Sequence, residues 1–356
     1  MKLKEFQQYL QEKKIDATLL YQFDLGNLHA PLYYFSRYTG YGALIIPASG
    51  KPVLVVPKLD EERATQTGLE VVSWQKIKFS EVIKKTFRQC HLGKERIGID
   101  EDRTSIALAK VFKKQLAKTL VPIGKKISEL RRTKTNDELN ILREGCYATT
   151  QILNKALANF SAFKTESDVA AFLQYEAKKR GYDLSFPAVV ASGKHASLPH
   201  HETGPIKLQH GFCVIDFGIR YQHYCTDMTR TVFIGKPNSG QKKLYELVLK
   251  TQRNTTRLYV EKKKCVDIDA FARKQLGNYE KYFIHSLGHG IGLEVHEAPG
   301  IGPSSKDHLQ ISDVVTNEPG VYIPKKLGIR IEDDVVITKK GPEVLTNKCS
   351  TDLTTL

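Results

Sequence analysis

Leu3, Phe6, Tyr9 and Leu10 recur at helical spacing, so residues 2–13 read as an amphipathic helix. Ala17 to Tyr21 is a short apolar run of strand length. After Tyr33-Tyr34-Phe35, the runs Ala43 to Ile46 and Val53 to Val56 are bounded by Pro47, Gly50, Pro52 and Pro57, which predicts buried strands. A helix over about 60–67 leads to a strand at Val71 and Val72. Another helix is expected over about 80–91, with Gly93 just past its end. Ile97 to Asp100 predicts a strand, and Ile106, Val111, Phe112 and Leu116 mark a further helix. Strands alternating with helices over residues 1–124 predict a first α/β domain.

The pattern changes over residues 121–126, which divides the chain into 1–124 and 125–356. Thr135 with Glu138 has the capping-box form, and Leu139, Leu142, Cys146, Leu153 and Leu157 define a long amphipathic helix behind it. Thr165 with Asp168 opens a second helix that Gly181 closes. Helices are also expected over about 241–261 and 268–276. Between and after them lie β-like segments at 186–192, 212–218, 229–234, 314–318 and 329–338. Helices segregated from a mostly antiparallel sheet make the second part α+β.

Bulk properties narrow the choice. A chain of 356 residues, 41% hydrophobic and 26% charged, can fill two cores and is not disordered. No apolar run has the length of a membrane span. The opening residues, Met1 to Gln8, lack the apolar segment of a secretory signal. Six scattered cysteines without a C-x-x-C are then expected to be reduced thiols of a cytoplasmic protein. The net charge of +15 raises the question of nucleic acid. Its lysines and arginines fall in short clusters without interleaved aromatics, so a solvated basic surface is favoured over a nucleic-acid track.

The chemistry concentrates in Asp216, Asp227, His289, Glu318 and Glu332. Asp216 and Asp227 lie on two apolar runs joined by Ile219 to His223, so both carboxylates are expected to be buried. A single buried acid is an ordinary salt-bridge partner. Two on adjacent strands, with Glu318 and Glu332 on later ones, would repel strongly without cations. Four carboxylates and one imidazole suit a pair of Mn²⁺, Co²⁺ or Fe²⁺ ions as well as Zn²⁺, and the lack of thiolates argues against a structural zinc site. Two metals sharing a bridging hydroxide would give a hydrolase.

The motifs around these residues carry a resemblance. His289 to Glu297 (HGIGLEVHE), Asn317 to Gly320 (NEPG) and Gly328 to Asp333 (GIRIED) resemble signatures of the pita-bread metallopeptidases, in particular the Xaa-Pro dipeptidase (prolidase) and aminopeptidase P branch. Ile127 to Arg131 resembles the entry to that catalytic domain, and Arg37 to Gly42 is similar to a creatinase-type N-terminal domain. The resemblance implies an α+β pita-bread catalytic domain after a smaller α/β domain. It implies Asp216 as a bidentate ligand, Asp227 and Glu332 as bridges, and His289 and Glu318 as ligands of the other metal, with Glu318 also the general base. It places His200, rather than its neighbour His201, over the substrate and His296 at the scissile carbonyl, and His285 and Arg330 in the substrate pocket or around the metal ligands. It implies two divalent ions per subunit, Mn or Co ahead of Zn or Fe, short proline-containing peptides as substrates, and a homodimer.

Two positions depart from the usual pattern. Before Asp227 the family generally has a Gly-Tyr and a Ser where this chain has His223-Tyr224-Cys225-Thr226, and Gly300 follows His296 to Pro299 where many dipeptidases carry an arginine. The first places a thiol near the metals; the second removes one clamp for a substrate carboxylate. A longer-peptide aminopeptidase and a non-enzymatic pita-bread binding protein are therefore the rival expectations, although no metal ligand is missing. Activity is expected to fall as pH drops through 6–7, the histidine range.

Overall fold

The computed structural model describes every residue except Met1, Leu25, Asn27, His91 and 93–95. The expected helix stop at Gly93 therefore lies outside the described residues, as does His91. The chain forms two compact units, Met1–Arg131 and Arg132–Leu356. The division falls past residue 124 because the helix Gly124–Arg132 is tied into the first unit. The N–H groups of Ile123 and Gly124 donate to Glu101 Oε2, and the Tyr34 hydroxyl donates to the Leu130 carbonyl.

In the first unit a six-stranded mixed sheet runs in the order Glu70–Trp74, Val53–Pro57, Gly42–Pro47, Ala17–Gln22, Arg96–Ile99, Thr119–Pro122. The central apolar runs are strands because both faces are covered: Leu19, Ile45 and Val55 meet Ile83, Phe87 and Phe112 of the helices. The segment Ala30–Ser36, for which the apolar pattern predicted no helix, is a fully buried one. His29 is its N-cap and Pro31 lies in its first turn.

The second unit begins with the capping box anticipated at Thr135 and Glu138, which opens the helix Asn136–Ala158. Thr165 and Asp168 open Glu166–Lys179 in the same way. These two helices bury Ile152, Leu153, Val169 and Leu173 against Val190, Ile215, Phe217 and Val232 of a three-stranded sheet. That sheet is Val189–Ser192, Gly211–Phe217 and Met228–Ile234, antiparallel throughout. The helices Ser239–Thr256 and Cys265–Leu276 pack Val248, Ile268 and Ala272 in one cluster with Val315, Val335 and Ile337. The latter three belong to a five-stranded sheet ordered Glu297–Ile301, Gly288–Gly290, Val314–Asn317, Asp333–Thr338, Gly341–Val344. No described helix is long and apolar enough to cross a membrane.

The single β segment expected over 329–338 is two strands. Leu327–Arg330 pairs with Gly320–Ile323, whereas Asp333–Thr338 joins the five-stranded sheet. The chain leaves one ladder for the other at Ile331 and Glu332. There the Glu332 N–H donates to the Thr229 carbonyl, and its carbonyl accepts from Arg230 Nη1. The wholly buried Arg230 thus ties the sheets together, also gripping Asp333 at 2.7 Å. Sequence periodicity could not reveal the break, because both halves are equally apolar.

Gly288 is required by close approach, since a Cβ there would lie 2.1 Å from the Thr316 carbonyl oxygen. Gly300, on the neighbouring strand, has nothing within 4 Å of such an atom. Gly288→Ala should therefore cost about 1–3 kcal/mol in urea unfolding of the metal-free protein. Gly300→Ala should leave the midpoint unchanged; equal losses would contradict the packing described.

Candidate metal centre

All five expected ligands line one cavity of about 570 Å³, together with His200, His285, His296 and Arg330. Backbone pairing explains the convergence. Thr229 is paired with Asp216 and Met228 with Phe217, so Asp227 lies just beyond the end of the ladder that carries Asp216. Asn317 pairs with Asp333 in one sheet and Gly320 with Arg330 in the other, which leaves Glu318 and Glu332 facing each other in the gap between ladders. His289 sits at a register shift between Gly288–Gly290 and Glu297–Ile301, where the strand is kinked. Asp216 is paired on both sides within its strand, whereas the other four candidates are at a strand end, a break or a bulge, where a side chain can be aimed out of the regular pleat.

One oxygen or nitrogen from each of Asp227, His289 and Glu332 falls within 4.8 Å of the others. His289 Nε2 is 3.5 Å from Glu318 Oε1 and 3.8 Å from Asp227 Oδ2. These distances are too long for good hydrogen bonds and leave room for a cation between the groups. The opposite nitrogen, Nδ1, donates to the Gly290 carbonyl at 3.0 Å, which leaves the Nε2 lone pair facing the carboxylates. Thr229 donates to Glu332 Oε2 at 2.6 Å, and Thr316 donates to Glu318 Oε1 at 3.2 Å while accepting the His289 N–H. Asp216 Oδ1 and Asp227 Oδ1 are buried with no hydrogen-bond partner among the described residues. Unpartnered buried carboxylate oxygens are rare and costly, so this donor set fits divalent metal.

Electrostatics point the same way. Burial, and then Glu332 and Asp216, push the Asp227 carboxyl well above its usual range. Burial, with Glu318 and Asp216, does the same to Glu332. Glu318 is pushed up to about 8 by burial, against the opposing Arg330 and with Asp216 adding to the rise. Burial and the positive field of Arg330 lower His285 to about 3, and burial with His296 lowers His289 to about 4. Both shifts favour the neutral imidazole, and neither supports His285 or His289 as the source of the acid limb expected at 6–7.

Around the ligands runs a polar chain. Arg330 donates to Asp216 through Nη2, to Thr229 through Nε at 3.0 Å, and through Nη1 to the Tyr322 hydroxyl at 2.8 Å and the Pro199 carbonyl at 3.4 Å. Tyr322 in turn donates to His285 Nε2 at 3.0 Å, since His285 Nδ1 gives its proton to the Ser286 carbonyl. Arg330 lines the cavity, but its guanidinium is committed to these partners rather than free for a substrate anion. His200 and His296 are exposed on the cavity wall, and the His296 ring meets that of His289 edge to face at 4.3 Å. Cys225 is buried, with its Sγ on the Leu293 carbonyl and its thiol pushed up to about 11 by burial, so it is an inert thiol.

Residues 140–339 match metallopeptidase family M24, and residues 2–133 match the creatinase/prolidase N-terminal domain. The chain belongs to metallopeptidase family M24. It is 34% identical to an Xaa-Pro dipeptidase of Pyrococcus furiosus, over 97% of each chain. Among solved structures it is similar to the prolidase of Pyrococcus horikoshii, with TM-score 0.88 and 31% identity over 99% of both chains. It is equally similar to an X-Pro aminopeptidase of Thermotoga maritima, at TM-score 0.88 and 30% identity over 97% of this chain and 99% of that one. An M24 protein of the pita-bread prolidase branch is thus a metallopeptidase that works with divalent metal, preceded by a creatinase-type domain.

Residues without a motif of their own complete the surroundings: Thr229, Thr316, Tyr322 and Asp334, whose Oδ2 accepts the Asp227 N–H at 3.0 Å. Thr229 and Asp334 sit close in sequence to a ligand, which was the one available signal; Tyr322 carried none.

The raised carboxyl groups imply a linkage. Asp227, Glu318 and Glu332 bind protons more readily folded than unfolded, so stability is full below their ordinary range near 4. For Glu318 it is lost as pH rises through about 8, and Asp227 and Glu332, raised in the same direction, add to the loss. The metal-free protein should melt at a higher temperature at about pH 5.5 than at about pH 8, and excess Mn²⁺ should restore the loss at the higher pH. A melting temperature that rises with pH in the metal-free protein would contradict this.

Proposed function

We propose that the chain hydrolyses the Xaa-Pro bond of dipeptides and short peptides. The observation that carries this is the buried carboxylate cluster with its two unpartnered oxygens, opening on a cavity, in a chain that aligns end to end with Xaa-Pro dipeptidases. Asp216, Asp227, His289, Glu318 and Glu332 would hold two divalent ions. This oxygen-rich donor set suits Mn²⁺ or Co²⁺, and also accepts Zn²⁺ or Fe²⁺. When bound, such ions supply a water of lowered pKa and polarise the scissile carbonyl.

The chain's own groups do the rest. Glu318, its Oε1 held by Thr316, is the base that takes the proton of the attacking water and passes it to the proline nitrogen as the C–N bond breaks. His200 and His296, on the wall above the acids, donate to the carbonyl oxygen as negative charge develops there. Phe186, Val189, Pro199 and Val295 give the cavity the apolar surface that a proline ring requires. Proline's nitrogen carries no N–H in the bond, so the pocket needs no acceptor for it. Arg330 is assigned to orienting Asp216, and His285 to holding Tyr322 against Arg330 at the pocket edge.

One observation supports a second reading, an aminopeptidase that takes longer peptides. A dipeptidase gains from a cation that clamps the proline carboxylate. Arg330 is committed to Asp216, and Gly300 leaves open space on the cavity wall. We further place the protein in the cytoplasm, in keeping with six unpaired thiols. As a homodimer it would cover Leu198 and Ile284, which are 53% and 64% exposed beside His200 and His285.

Metal-stripped protein should regain Leu-Pro hydrolysis on addition of Mn²⁺ or Co²⁺. Asp227→Ala and Glu332→Ala should each lower kcat more than about 100-fold, since even supporting partners of a ligand are worth about 10–100-fold. Full activity of Asp227→Ala without metal would overturn the mechanism. The substrate class is read from kcat/KM on Leu-Pro, Leu-Pro-Pro-Ala and Leu-Ala with Mn²⁺ present. Preference for Leu-Pro is expected. Preference for the tetrapeptide would select the aminopeptidase, and equal cleavage of Leu-Ala would remove proline specificity.

A further inference from the structure

A second cluster of titratable side chains lies on the catalytic unit, outside the carboxylate site. Glu166, in the first turn of the helix Glu166–Lys179, has no exposed surface. Its carboxylate is filled by one loop. Oε1 accepts from the Ser192 N–H and hydroxyl, each at 2.8 Å, and from His195 Nδ1 at 3.2 Å. Oε2 accepts from His201 Nε2 at 2.7 Å. The two imidazole rings stack nearly parallel with centroids 4.8 Å apart, so one carboxylate fixes both.

The backbone supports the same grip. The Glu166 N–H donates to the Ile206 carbonyl and the Ser167 N–H to that of Gly204. Thr203 Oγ1 accepts the Val190 N–H and donates to the Ala188 carbonyl. The loop is therefore pinned at residues 192, 195, 201 and 203. The exposed residue between those pins that reaches the metal cavity is His200. Its own turn is tied by the Leu198 N–H to the His195 carbonyl, the His201 N–H to the Leu198 carbonyl, and Arg330 Nη1 to the Pro199 carbonyl. An exposed imidazole on a short turn owes its placement to such ties, and a misplacement of about 1 Å is enough to cost about 100-fold in rate.

We propose that Glu166 is a positioning residue for peptide hydrolysis: through His201 and His195 it fixes the turn that presents His200 to the substrate carbonyl. This rests on the assignment of His200 made above. Its chemistry is steric and hydrogen-bonding only. The carboxylate supplies acceptors to two ring N–H groups and two Ser192 donors, and loss of those acceptors frees the loop.

The test uses the Mn²⁺-loaded full chain with Leu-Pro as substrate. Glu166→Ala and His201→Ala are each expected to lower kcat about 10- to 100-fold with KM changed less. Metal content by elemental analysis should remain at the wild-type value. His201→Gln, whose amide nitrogen can replace Nε2 as the donor, should recover most of the kcat. If Glu166→Ala does not fold, the His201 pair carries the test alone. The decisive arm repeats either Ala substitution in His200→Ala, where no further loss is expected because the clamp acts through His200. A full further loss in that background would overturn the positioning role while leaving His200 in place. Wild-type kcat in His200→Ala would overturn the assignment of His200 and the proposal with it.

Discussion

Four carboxylates of like charge share the floor of one cavity in this protein, and much of its second unit is arranged around that repulsion. Three of the four are driven towards their protonated forms by burial and by one another, and the Arg330 guanidinium binds Asp216. Such a cluster is costly to keep ionised in a folded chain. Neutralisation by divalent metal is the resolution consistent with a family M24 peptidase, and it turns a folding liability into a catalytic asset. The stability given up at the cluster is recovered elsewhere, in the apolar layers between the helix pairs and the sheets.

Accommodating the acids dictates unusual strand endings. Asp227 lies off the end of its ladder, Glu318 and Glu332 occupy the gap where the chain changes sheets, and His289 stands at a kink. Regular pleats aim alternate side chains to opposite faces, so no single strand could present these groups to one point. The join at Glu332 is kept by backbone bonds to Thr229 and Arg230, which means that a buried arginine distant from substrate sets the position of a ligand candidate.

A division of labour follows from burial. The ligand candidates are packed between sheets and held by threonine hydroxyls, whereas His200 and His296 face the open cavity. Groups that hold ions benefit from a stiff interior; groups that meet a substrate must be reachable by it. The cost is that His200 stands on a turn with few ties of its own, and its neighbours in sequence, His195 and His201, are the ones anchored to the protein interior.

Local signals were legible in the chain itself. Capping boxes at Thr135 and Thr165 involve residues three apart and need no tertiary context, and both formed as written. The buried strands around Ala43 and Val53 were readable because apolar runs bounded by proline have few other solutions. The five ligand candidates stood out because acids embedded among glycines and apolar residues conflict with simple burial, and conflicts of that kind mark sites. What periodicity could not supply was anything set by partners distant in sequence. The helix at Ala30–Ser36 has its every face covered, and at the break by Ile331 the Glu332 backbone is bonded to Thr229 and Arg230 instead of to a neighbouring strand of either ladder. Glu166 carried no functional signal in the sequence, and Arg330 was expected at the substrate pocket. Their roles depend on His201, 35 positions away, and on Asp216, 114 away, and contacts over such separations are decided by how the sheets pack.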